Sequence, residues 1–259
     1  MNKLIRYSAI GILFLYVASC TTLFTFQKNF LYFPTAEIER SDVEKFQLSN
    51  QDISLNVWKV ASDNRKAIIY FGGNAEPVSN NIDPFRVYLS GYDIYLLSYR
   101  GYGGSDGKPS ETGFYDDAIK LYDFVSTDYD SVSIIGRSLW SGVATYVASQ
   151  RPTERLALIT PYDSIENVAQ EKFPFFPVSL LLTEKYNSVG RAHLISAPTL
   201  IVTAEHDRVI PARRTMPLSD AIDPRLLTRT IIKDTNHLTV SRPQSFWDVF
   251  SDFFEAQEI

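Results

Sequence analysis

The 259-residue chain has one cysteine, three histidines and two methionines. A single cysteine excludes an internal disulfide framework and a zinc site built on several thiolates. Three histidines leave little material for a histidine-rich metal centre. Basic residues are in deficit, 25 Lys and Arg against 30 Asp and Glu, for a formal charge of −5. The sequence therefore lacks the basic stripe of a nucleic-acid binder. After Pro34 it has no repeats and no low-complexity linker. What is present is globular: 45% hydrophobic and 21% charged residues, with 15 Tyr, 17 Phe and 3 Trp. Those rings imply an aromatic core or groove.

Acidic residues are missing from the start as well, the first being Glu37. Lys3, Arg6 and Lys28 are basic, and the stretch 7–27 carries no charge. A basic start followed by an apolar run is a secretory signal pattern. The run ends in Val17-Ala18-Ser19-Cys20, which resembles the lipobox of bacterial lipoproteins, where cleavage precedes a cysteine that carries lipid. This reading makes 1–19 a signal peptide, 20–36 a membrane-proximal tether and 37–259 the folded domain, at the bacterial cell envelope and facing the periplasm. The alternative is an uncleaved anchor, since 7–27 is just long enough for a hydrocarbon core of about 30 Å. Both attach the chain to a membrane through its N-terminus, with 26–34 near the lipid surface.

Beyond residue 36 the hydrophobic pattern has two periods. The segment 43–48 is a first strand candidate, and Ile53, Leu55 and Val57 alternate as in a half-buried strand. Short continuous apolar runs follow at 67–71, 94–97, 132–135, 156–159, 199–202 and 230–232. Such runs suit strands covered on both faces. Between them lie helical patterns: Phe114, Ala118, Leu121, Phe124 and Val125 after Ser110, and Phe246, Val249, Phe250 and Phe253 after Pro243. The alternation predicts an α/β fold whose eight-stranded sheet is mostly parallel, with an antiparallel start and flanking helices.

The run 132–135 leads into Gly136-Arg137-Ser138-Leu139-Trp140-Ser141-Gly142, and a helix-compatible stretch follows. A strand, a sharp turn around serine and a helix form the context of a nucleophile elbow. The usual pattern is G-x-S-x-G, and Trp140 stands where its last glycine belongs. An indole there must project elsewhere or push the turn open, and overpacking a tight site costs about 1–3 kcal/mol. An ordinary βα turn that contains serine would read the same way.

Residues downstream favour the elbow. A serine-first triad needs an acid and then a histidine, in that order. Asp207 follows the run 199–202, and His237 follows the run 230–232. Both fall at carboxyl ends of strands, where α/β sheets place their chemistry. Serine is a weak nucleophile without a base, histidine is matched to that task near neutral pH, and a carboxylate orients the imidazole. His193 and His206 fit this order poorly; Asp163 and Glu205 are reserve acids. Gly72-Gly73-Asn74 follows the run 67–71, and its glycines permit close backbone approach. The N–H groups of Asn74 and Leu139 are thus the expected oxyanion donors.

Together these residues resemble the α/β-hydrolase superfamily, and within it the membrane-tethered serine esterases with protein depalmitoylase-like enzymes. Phe30-Leu31-Tyr32-Phe33-Pro34 looks like the entry segment of that branch. Tyr70-Phe71-Gly72-Gly73-Asn74-Ala75 looks like its oxyanion loop, although many relatives have histidine at the position of Gly72. The stretch from Ser98-Tyr99-Arg100 through Gly101-Tyr102-Gly103-Gly104-Ser105-Asp106-Gly107 matches a further hallmark loop, and Pro161-Tyr162-Asp163-Ser164-Ile165 the segment after the strand that follows the elbow. The resemblance implies the α/β-hydrolase fold with a small lid, a triad of Ser138, Asp207 and His237, and no cofactor or metal. Trp140 departs from the pattern.

Lids in this superfamily occupy the stretch that here is 161–198, which contains Phe173-Pro174-Phe175-Phe176-Pro177 and Leu180-Leu181-Leu182. A small apolar rim points to an acyl ester or thioester substrate; core packing beneath a connection is the other explanation. Two functions follow. One is a serine hydrolase working through an acyl-enzyme. The other is a catalytically silent binding or scaffold protein, for which Trp140 is the supporting feature.

Overall fold

The computed structural model describes residues 3–62 and 64–256. Eight strands lie among them: β1 (Glu44–Asn50), β2 (Ile53–Val60), β3 (Lys66–Phe71), β4 (Asp93–Leu97), β5 (Ser131–Arg137), β6 (Leu156–Ile159), β7 (Thr199–Ala204) and β8 (Leu227–Ile232). They form one sheet in the order β1-β2-β4-β3-β5-β6-β7-β8. The pairs β1/β2 and β2/β4 are antiparallel and all others parallel.

The continuous apolar runs become central strands because both faces of the sheet are covered. Successive residues alternate between two cores: Ile69, Phe71, Ile134 and Leu158 face one, and Ile68, Tyr70, Ile135 and Ile159 face the other. Helices α3 (Glu111–Val125) and α4 (Ser141–Gln150) close the first core, while α2 (Ile82–Tyr88) and α8 (Gln244–Glu255) close the second. Ser110 starts α3 as expected, its side chain accepting from the Gly113 N–H at 3.2 Å, a cap worth about 1 kcal/mol. The stripe of α8 is rotated from the expectation: Phe246, Trp247, Phe250 and Phe254 are buried, whereas Val249 and Phe253 flank them. Phe124 is likewise half exposed and touches Phe46.

Register positions the loops that matter. Tyr70 pairs with Ile135 and Phe71 with Gly136, so the loops after β3 and β5 leave the sheet side by side. Ala204 pairs with Ile232, which does the same for the loops after β7 and β8.

Helix α1 (Lys3–Leu31) runs unbroken through Cys20, and none of its residues is buried. It is the one described helix long and apolar enough to cross a membrane. The following residue is not a free tether: Tyr32 is buried in the first core. Its hydroxyl donates to the Glu184 carboxylate and lies 2.7 Å from the Tyr186 hydroxyl. Burial and Glu184 push the phenol far above its ordinary value, so it stays a donor. The lid stretch is small, with α5 (Ile165–Lys172), α6 (Val178–Leu181) and a tight turn over Val189–Leu194.

Candidate active site

Ser138 follows β5 directly and has φ 52°. A non-glycine residue in that region is strained, and such strain collects at functional turns. The turn is compact enough that a Cβ on Gly136 would stand 2.3 Å from the Ala144 Cβ. One on Gly142 would stand 2.3 Å from the Tyr162 hydroxyl, which donates to the Leu139 carbonyl at 2.6 Å. Gly142 thus admits the tyrosine that holds the elbow from behind.

Trp140 does not push the turn open. Its backbone is helical at φ −82°, ψ −1°, and its side chain is fully buried beneath the elbow. The indole stacks on Tyr99 at 4.1 Å and on Tyr32 at 6.2 Å, and meets Phe114 edge-on at 4.4 Å. The clash expected from sequence is avoided because these rings, with Tyr186 edge-on at 6.4 Å, come from four separate segments and form a cage shaped for an indole. Its Nε1 has no hydrogen-bond partner among the described residues.

The three residues singled out in sequence meet. Ser138 Oγ lies 2.7 Å from His237 Nε2, and His237 Nδ1 lies 2.8 Å from Asp207 Oδ2. An ionised carboxylate only accepts, so Nδ1 carries the proton and the Nε2 lone pair faces the serine hydroxyl. The second oxygen of Asp207 accepts the N–H groups of Val209 (2.9 Å) and Ile210 (2.8 Å), which fixes the carboxylate plane. The reserve acids are engaged elsewhere. Asp163 is buried against Arg214 (3.2 Å) and Asn167 (2.8 Å). Glu205 pairs with Lys233 at 2.9 Å. His193 and His206 are exposed and do not line the cavity.

Asn74 and Leu139 stand beside Ser138 on the cavity wall. Leu139 is the second residue of the Ser138–Trp140 helical turn, where N–H groups have no partner within the turn. The Asn74 carboxamide is used for architecture. Its nitrogen donates to the Leu31 carbonyl at 2.6 Å, and its oxygen accepts from the Phe33 N–H (3.2 Å) and the Tyr102 hydroxyl (2.9 Å). The side chain therefore clamps the end of α1 and leaves the Asn74 N–H to other partners.

Sequence reasoning missed Glu76. One of its oxygens accepts the Gly73 N–H at 2.8 Å, and the other accepts Asn81 at 3.0 Å and pairs with Arg137 at 3.3 Å. It thereby ties the loop after β3 to the residue that precedes Ser138. Its position three residues past a glycine pair was the only available signal.

A cavity of about 260 Å³ opens onto Ser138. Its walls are mostly apolar: Phe173, Phe176, Leu181 and neighbours come from the lid, Leu23, Phe30 and Leu31 from α1, and Val209 and Ile210 from the loop after β7. The apolar lid residues thus line a cavity rather than only filling a core. Sequence reasoning gave α1 no part in it. On α1, Cys20, Leu23, Gln27 and Leu31 are half-buried at helical spacing. Gln27 fixes the contact: its carbonyl oxygen accepts the Thr183 N–H at 2.8 Å and its nitrogen donates to the Leu181 carbonyl at 3.2 Å.

No family model matches the chain. Sequence relatives include the uncharacterized protein Rv2307c of Mycobacterium tuberculosis, 32% identical over 56% of this chain and 54% of that protein. The chain is also similar to lysophosphatidylserine lipase ABHD12 of Mus musculus, 31% identical over 58% of this chain and 44% of that one. The alpha/beta hydrolase domain-containing protein WAV2 of Arabidopsis thaliana is 25% identical over 75% of each chain. The match to the mycobacterial protein thus spans about half of that relative's length. Among solved structures, the esterase Pf2001 of Pyrococcus furiosus superposes with a TM-score of 0.71, covering 86% of this chain and 98% of its own at 14% identity. That likeness speaks for the fold, and the sheet order and crossovers agree with it. The chain thus has the α/β-hydrolase fold, and its sequence relatives include proteins named as an alpha/beta hydrolase domain-containing protein and as a lipase.

Proposed function

We propose that the chain is a membrane-tethered serine hydrolase that cleaves a carboxylic ester or thioester of an acyl chain. One observation carries this reading. Ser138 sits strained at the mouth of an apolar cavity, 2.7 Å from a histidine that is itself 2.8 Å from an acid. In the reaction, Ser138 Oγ attacks the acyl carbon while His237 Nε2 takes its proton. Asp207 holds the imidazole and stabilises its charge. The N–H groups of Asn74 and Leu139 receive the oxyanion. The leaving alcohol or thiol departs with the proton from His237, and water then releases the acid from Ser138 by the same steps reversed. The cavity lies just below the usual ligand range of about 300–1,000 Å³, which suits a single acyl chain. A relative named as a lipase agrees with such a substrate.

Against a silent scaffold stands the Trp140 indole, which lies in the core and leaves the serine–histidine contact intact. The tether is the N-terminus, either as a signal peptide over 1–19 followed by lipidated Cys20 or as an uncleaved anchor. Mass spectrometry of the mature protein distinguishes the two: a lipid-modified Cys20 at the N-terminus marks the first, a retained Met1 the second. The activity test is labelling by a fluorophosphonate, which reacts with an activated serine. We expect labelling of the native chain and none of Ser138→Ala. No labelling of the native chain would overturn the reading.

A further inference from the structure

The elements around the cavity mouth carry exposed apolar side chains for which the domain has no use. Phe175 and Leu180 of the lid are 85% and 80% exposed and do not line the cavity. Leu238, next to His237, is 75% exposed. Phe30 and Phe33 line the mouth and are also more than half exposed. Single exposed apolar residues need no explanation, but a cluster about one opening does. The charged residue among the cavity-lining side chains is Lys172, whose long stem can cover apolar surface while its ammonium reaches a headgroup.

Helix α1 indicates which medium covers this rim. The Tyr16 hydroxyl donates to the Phe175 carbonyl at 2.9 Å, and its ring stacks on Phe176 with centroids 5.7 Å apart. Tyr16 lies in the middle of the uncharged stretch 7–27. Lys28, the first charge after that stretch, pairs with Glu184 at 3.4 Å and donates to the Pro109 carbonyl at 3.2 Å. At helical rise, Tyr16 is about 18 Å from Lys28. With Lys28 at the outer edge of the headgroup layer, which is about 5–7 Å thick, Tyr16 and the lid tip bound to it lie about 11–13 Å into the acyl chains of the near leaflet, which are about 15 Å deep. A lipid on Cys20, one turn from Leu23 in the cavity wall, would instead bring the rim against the bilayer surface without Tyr16.

We propose that the lid tip around Phe175 and Leu180, with the rim of the cavity, is immersed in the near leaflet of a lipid bilayer, and that the acyl substrate reaches Ser138 sideways from that leaflet. The immersed surface rests on the membrane tether, and the sideways route on the hydrolase reading as well. The lid tip needs no rearrangement to be wetted by lipid, since these side chains already point outward.

The test uses the full chain in phosphatidylcholine and phosphatidylglycerol vesicles, with or without bromine on the acyl chains. The native tryptophans, Trp58, Trp140 and Trp247, are buried and give a constant background. Phe175→Trp should add emission that brominated lipid quenches. Val87→Trp, at an exposed position on α2, should add emission that it does not. Equal quenching of the two variants would overturn the immersed rim. A second measurement compares the double variant Phe175→Ser, Leu180→Ser with the native chain. Hydrolysis of a water-soluble short-chain ester should be unchanged, while that of a long-chain ester carried in vesicles should fall about tenfold. Equal effects on both esters would overturn the sideways route. A native chain that hydrolyses neither ester would sink the hydrolase reading and the sideways route with it, while the quenching result still decides the surface.

Discussion

Trp140 shows how far a single residue's meaning depends on what surrounds it. In sequence it breaks a glycine pattern; in space it fills a ring-lined chamber under the elbow. Replacing a buried aromatic residue by a very small one costs about 3–5 kcal/mol. Trp140→Gly, which restores the family pattern, should therefore lower the urea midpoint markedly. Trp140→Phe should be much milder, because the indole nitrogen it removes has no hydrogen-bond partner among the described residues. Gly142 makes the reverse case. A methyl there meets the Tyr162 hydroxyl, so Gly142→Ala should cost about 1–3 kcal/mol and slow fluorophosphonate labelling as the Tyr162–Leu139 bond is displaced. Ser138, Asp207 and His237 were legible because their order and strand-end positions are written locally. The cage around Trp140 was not, because Tyr32, Tyr99, Phe114 and Tyr186 come together only in the folded chain.

At the scale of elements, the loop after β3 is held by a carboxylate rather than by its glycines alone. Glu76 accepts the Gly73 N–H and pairs with Arg137. Glu76→Gln keeps the shape and loses the charge. It should lower kcat by about tenfold with little change in KM, as expected where a transition-state donor is misplaced. A rise in KM alone would mean that Glu76 shapes the cavity instead. The strands were readable because continuous apolar runs bounded by polar turns have few other outcomes. The packing face of α1 was not, because nearly every side chain over 7–27 is apolar and hides the half-buried stripe.

At the scale of the whole molecule, ionised groups hold the sheet where the inner strand β4 begins. Asp93 opens β4 and is buried, which opposes its charge. Hydrogen bonds from Tyr129 (2.5 Å) and Ser62 (2.7 Å), with Lys59 at 3.5 Å, outweigh burial and hold its carboxyl below the ordinary value. A depressed native pKa contributes stability above the unfolded value, about 4, and loses it as pH falls through the native one. The urea midpoint should therefore drop between about pH 5 and pH 2, and Asp93→Asn should flatten that drop. The mostly parallel topology followed from alternating strand and helix patterns. The joint between α1 and the domain did not, because it depends on Gln27, Lys28 and Tyr32 finding Thr183 and Glu184 more than 150 positions away.

One wall of the cavity belongs to α1. The segment that a protein chemist would trim to obtain a soluble sample is therefore part of the instrument that measures the substrate. A version beginning at Tyr32 keeps Ser138, Asp207 and His237 but turns an enclosed slot into an open trough. On the proposed hydrolase reading, the shortened chain should still cleave small esters while losing preference among acyl lengths, and a screen run on it alone would report a broader esterase than a screen of the intact chain.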